Sequence, residues 1–180
     1  MKHTNIKKLA LAAMFIAIGL LLPFLTGQIK QIGNMLLPMH IPVLLCGLIC
    51  GKYYGAAVGA VLPLMRSMLF GMPVMFPSAA AMAFELSAYG FIIGLLYSLF
   101  KKQDIRSLYL SIIGAMIGGR IIWGIVMTII TGSFTFKAFI ASAFLNAFPG
   151  IILQLLLIPT IMLALDRTHL VPFRNREDAA

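Results

Sequence analysis

The chain is short of charge, and shortest of negative charge. Asp and Glu together number 5 in 180 residues against 14 Lys and Arg, and the four types make up 11% of the sequence. Soluble domains carry about 25% charged residues. With 61% hydrophobic residues and a mean hydropathy of +1.01, too few polar side chains remain to cover a water-facing surface. A soluble globular domain is excluded. Cysteine is scarce as well: Cys46 and Cys50 lie in an apolar run, and a structural zinc site needs four ligands. Both read as small buried hydrophobes. The phosphate-binding pattern G-x-x-x-x-G-K-S/T is missing, so the chain does not itself use ATP by that route. H-E-x-x-H and G-x-S-x-G are missing too. Glu85 is the one carboxylate expected at membrane depth, which excludes a paired-acid catalytic site within one chain. Neither an enzyme nor a cofactor or metal site is expected.

What the chain has is long apolar runs. A membrane-spanning helix takes about 20 residues, so six would take roughly 120, leaving loops and tails but no second domain. The runs 9–26, 35–51, 53–70, 77–100, 107–131 and 138–165 predict such a bundle: an all-α integral membrane protein of six helices in one domain. They are continuous rather than alternating, unlike the strands of a membrane β-barrel. Residues 1–8 form a basic head ahead of the first run.

Charge orients the bundle. With the N-terminus cytoplasmic, the inside holds Lys2, Lys7, Lys8, Lys52, Lys101, Lys102, Arg106, Arg167, Arg174 and Arg176, and the outside only Lys30 and Lys137. Both termini are therefore expected in the cytoplasm. The same rule accounts for the formal +9 without invoking nucleic acid. Small residues four apart recur along the runs: Ala13/Ala17, Gly47/Gly51, Gly55/Gly59, Gly90/Gly94 and Gly114/Gly118. Such pairs let helix backbones approach closely in lipid, and most of them read as internal packing.

The sharpest chemical signal is ionisable side chains at membrane depth, which are costly and usually face a partner inside the bundle. Arg66, Glu85 and Arg120 qualify. Asn34 and His40 fall at the outer end of the second run, Asn146 in the outer part of the sixth and Gln154 deeper. Pro63, and Pro149 with Gly150, are expected to kink their helices beside these groups. Two arginines and one glutamate leave one positive charge in excess, which a carboxylate ligand would complete bidentately. The alternative for Arg66 is snorkelling to the outer headgroups. Among nearby aromatics, Trp123 shares a helical face with Arg120, and Tyr89 stands among those able to line a pocket.

The segment IGNMLLPMHIPVLLCGLICGKYYGAAVGAVLPLMRSMLFGMPVMFP (32–77), with MAFELSAYGFIIGLLY (82–97), GGRIIWG (118–124) and the basic start before Ala13-x-x-x-Ala17, resembles the substrate-binding S components of energy-coupling factor (ECF) vitamin transporters, pantothenate-type members most of all. The resemblance covers nearly the whole chain. It implies a subunit in a prokaryotic plasma membrane that binds one vitamin from outside and docks on a transmembrane T component with two cytosolic ATPases. Toppling of the subunit would then carry the vitamin across. It further implies that Ala13 and Ala17 form the docking face, and that the pocket lies in the outer half, among the first loop and spans four to six. The substrate-binding set would be Asn34, His40, Arg66, Glu85, Tyr89, Arg120, Trp123 and Asn146. Other anionic vitamins or precursors fit the same charge argument. The rival from another class is a self-sufficient oligomeric carrier or channel, against which stands the lack of an inverted repeat between 1–90 and 91–180.

Overall fold

The computed structural model describes residues 2–26, 37–132, 148–168 and 171, and its long elements are all helices. They are α1 (Lys2–Leu21), α2 (His40–Cys50), α3 (Lys52–Phe70), α4 (Ala80–Leu99), α5 (Ile105–Thr131) and α6 (Phe148–Arg167). Among the described residues four stretches are long and apolar enough to cross a membrane: Asn5–Phe24, Met75–Leu99, Ile105–Thr131 and Phe148–Arg167. At 19 residues α3 has the length, but Lys52, Tyr53, Tyr54, Pro63 and Arg66 make it more polar. The outer surface is apolar, as lipid requires: Ile6, Leu21, Met68, Leu99 and Ile129 are all more than 60% exposed.

Three boundaries differ from the sequence reading. The basic head is no separate tail, because α1 is helical from Lys2. The second helix is far shorter than 35–51: Leu37 has a positive φ of 49°, Pro38 and Met39 form a turn, and helix begins only at His40. Its 11 residues rise about 16 Å, roughly half the hydrocarbon thickness. Finally, α3 continues unbroken through Pro63. The sixth run is described only from Phe148 onward, so its predicted start lies outside the described residues.

The centre of the fold is a three-helix seam. α4 packs against α2, α3 and α5, while α1 lies on α2 and α3, and α6 leans on α5 and α2. Glycines let the first three backbones touch. A Cβ on Gly47 would stand 2.6 Å from the Gly90 carbonyl oxygen, and one on Gly55 the same distance from the Gly47 Cα. Gly59 meets the Leu86 backbone and Gly94 that of Lys52. These spaced glycines are packing devices, in keeping with their spacing in the sequence. Gly114 and Gly118 differ, facing only the flexible tips of Leu96 and Ile92. Around the seam Leu44, Leu62, Leu86, Ile93, Leu108 and Ile112 are wholly buried, as are Cys46 and, nearly so, Cys50. Both cysteines are free thiols.

The short α2–α3 and α4–α5 connections make the helices they join run antiparallel. Gly51 alone joins α2 to α3, at a φ of 99° that an L side chain rarely adopts. One end of the bundle therefore collects the start of α1, the Gly51 turn, the α4–α5 loop and the end of α6. Tyr54 there donates to the Asn5 carbonyl at 3.5 Å, and Asp104 caps α5 by accepting from the Ser107 N–H at 2.9 Å. Lys7, Lys8, Lys52, Lys101, Lys102, Arg106 and Arg167 all belong to this end. The first turn of α2 and the Arg66 turn of α3 belong to the other.

Candidate ligand site

Away from the basic end, three helices bring one charged or titratable side chain each to a common point. His40 opens α2, Glu85 lies in the second turn of α4, and Arg120 arrives from the middle of α5. Glu85 is the hub. Its Oε1 is 2.9 Å from Arg120 Nη1 and 3.6 Å from His40 Nε2. Tyr89, one turn along α4, sets its ring edge-on to His40 with centroids 5.0 Å apart, near enough to Glu85 and Arg120 to feel both charges. Gly119 makes room for it: a Cβ there would lie 2.5 Å from the Tyr89 ring. Relative exposure is 1% for His40, 2% for Glu85, 1% for Tyr89 and 6% for Arg120, so the cluster is dry.

Burial of ions this deep is tolerated because they are paired. The pairing is nonetheless incomplete. Arg120 spends Nη1 on Glu85, whereas Nε and Nη2 have no hydrogen-bond partner among the described residues. Those two atoms form the side edge of the guanidinium, the edge that takes a carboxylate bidentately. The Glu85 contact is a charge contact off the hydrogen-bond axis, so among the described residues Glu85 Oε1 lacks an aligned donor and both ring nitrogens of His40 are unpartnered. Buried polar atoms are nearly always hydrogen-bonded. Here several cluster at one place, with donors and acceptors held ready.

Gln154 adds to the set of unfilled groups. It is wholly buried on the α6 stripe of Gly150, Gln154, Ile158 and Met162, and both atoms of its amide are unpartnered. The sequence marks it as a deep polar group without ranking it with the site. An uncharged amide carries no signal as strong as a scarce charge.

Arg66 stands apart from this cluster. It is 4% exposed, donates from Nη1 to the Leu20 carbonyl at 2.9 Å, and lies over the rings of Phe24 and Phe70 at 5.6 and 5.5 Å. The two rings are themselves in edge contact at 4.9 Å. Its surroundings are the far end of α1, not Glu85. The excess positive charge inferred from two arginines and one glutamate therefore does not arise at the site. With His40 neutral, Glu85 and Arg120 cancel.

Of the remaining sequence candidates, Trp123 is half-buried on α5, three residues beyond Arg120. Asn34 and Asn146 lie outside the described residues. Ala13 and Ala17 are exposed on α1, whose Ala12, Phe15 and Gly19 turn inward. No curated protein and no solved structure matches the chain. Residues 7–162 do match a family model, that of the ECF transporter substrate-specific component. An all-helical apolar chain with a buried, half-filled polar cluster and no ATP-binding loop is consistent with that match, and the chain belongs to the family of ECF transporter substrate-specific components, multi-pass membrane subunits that bind a small molecule for transport and are not themselves enzymes.

Proposed function

We propose that this chain captures an anionic vitamin or vitamin precursor, pantothenate first among the candidates, at the His40–Glu85–Arg120 cluster. The observation that carries this reading is the Nε/Nη2 edge of Arg120, buried and without a hydrogen-bond partner among the described residues. A carboxylate is the ligand group that fits such an edge in charge and in planar geometry. His40 and Gln154 offer further donors and acceptors for hydroxyl or amide groups elsewhere on the ligand. Pantothenate has a carboxylate, hydroxyls and an amide.

The rest of the reading concerns orientation and partners. Six crossings with both termini in the cytoplasm of a prokaryote put the basic end inside, in line with the positive-inside rule, and the cluster in the outer half. α1 supplies the face for the T component: Ala13 and Ala17 are exposed there and form a flat strip with little side-chain entropy to lose on docking. Two cytosolic ATPases would supply the energy that this chain lacks.

A thermal-shift screen of the purified, ligand-stripped chain against vitamins and precursors tests the substrate. Ligand at 1,000 times its dissociation constant adds about 4 kcal/mol of stability. A hit confined to carboxylate compounds supports the reading, and a hit among neutral compounds alone overturns it. Ala13→Trp is expected to leave ligand affinity unchanged and to stop uptake in cells that express the ATPase module. Uptake by the chain alone in liposomes would favour the self-sufficient carrier instead.

A further inference from the structure

The cluster that would receive the anion is already electrically balanced. Glu85 and Arg120 cancel at 2.9 Å, and a carboxylate added to the free edge of Arg120 would leave one uncompensated negative charge among groups that are 6% exposed or less. An unpaired charge in so dry a place is strongly disfavoured, and a titratable neighbour takes up or releases a proton instead. Such a neighbour is in position. His40 Nε2 faces Glu85 Oε1 at 3.6 Å, both of its ring nitrogens are free of hydrogen bonds, and Glu85 Oε1 lacks an aligned donor.

We infer that the site binds two things at once, an anionic carboxylate on Arg120 and a proton on His40, so that the loaded cluster stays neutral. This rests on the anionic-ligand reading above. The bookkeeping is simple: Glu85 negative, Arg120 positive and His40 neutral before binding; Glu85 and the ligand negative, Arg120 and His40 positive afterwards. The proton comes from solvent and sits between His40 Nε2 and Glu85. No covalent bond forms or breaks apart from that N–H.

Among the described residues the groups facing His40 are few. Glu85 and Tyr89 come from α4 and Arg120 from α5. The described charges of α1, Lys7 and Lys8, lie at its opposite end, and Arg66 of α3 is engaged with Leu20 and two phenylalanine rings. Gln154 of α6 does not titrate. Among the described residues His40 is thus the group able to gain a positive charge beside Glu85.

The sign follows from the uptake. Binding that takes up one proton weakens tenfold for each pH unit of rise, once the pH is above the point where the empty site holds the proton and below the point where the loaded site releases it. Isothermal titration calorimetry in detergent tests this, with pantothenate, then nicotinate and biotin, as titrants in two buffers of different ionisation enthalpy at one pH. The expected result is uptake of close to one proton per ligand in the wild type. It should fall to near zero in His40→Gln, and also in Glu85→Gln, where the anion alone balances Arg120. Binding without buffer dependence in the wild type, or undiminished uptake in His40→Gln, overturns the proton site and leaves the anionic reading standing. If neither variant folds, the wild-type buffer dependence decides by itself. Absence of binding by all three anions takes down the anionic reading and the proton site with it.

Discussion

Two arginines are buried in this bundle to nearly the same degree, Arg66 at 4% and Arg120 at 6%, yet they do different work. Arg66 is held by a backbone carbonyl and two aromatic faces, so it ties the far end of α1 to α3. Arg120 meets the Glu85 carboxylate through Nη1, while its Nε and Nη2 have no hydrogen-bond partner among the described residues. Burial alone therefore does not tell the two side chains apart. The unfilled hydrogen-bonding capacity of a buried group is the better marker.

The largest expected effect comes from closing that difference at Arg120. Arg120→Lys keeps a cation for Glu85 but removes the planar edge. Ligand affinity should fall by about 2 kcal/mol or more, at least roughly 30-fold, with a smaller change in melting temperature. Equilibrium binding beside a thermal melt checks it, and unchanged affinity would remove Arg120 from the site. Arg66→Met is the opposite probe. Losing a charged hydrogen bond and the ring contacts should cost about 1–2 kcal/mol of stability, while affinity stays within about twofold because the cluster is separate. A large loss of affinity at this position would put Arg66 back among the ligand contacts. The smallest effect belongs to the capped start of α5. The Ser107 N–H holds the Asp104 carboxyl below its ordinary value of 3.8, so its contribution is present above that value and lost as pH falls through the lower one. Wild type should thus melt slightly above Asp104→Ala near neutral pH, and the gap should close in acid.

Much of this arrangement is legible in the sequence. Scarce charge in long apolar runs singles out Arg66, Glu85 and Arg120 before any coordinate is known, and the glycine spacing anticipates the seam of Gly47, Gly55, Gly59 and Gly90. Other features leave no trace there. Which arginine meets Glu85 depends on the rotation of each helix about its axis, and apolar runs carry little information on rotation. The partner of Arg66 is a carbonyl, which every residue has. The late start of α2 is hidden because residues 35–39 are as apolar in a turn as they would be in a helix. Gln154 stands out only once its burial is known.

The shortness of α2 has a further consequence. Below His40 its remaining length, Ile41 to Cys50, is buried at every position but Ile49, and Val43, Leu44 and Cys46 are wholly enclosed. This column is apolar almost throughout. No buried polar side chain on α2 below His40 offers an ion or a water chain a foothold. A polar path from the cluster to the basic end would have to be lined by other helices, as by the buried Ser107 and Ser111 of α5.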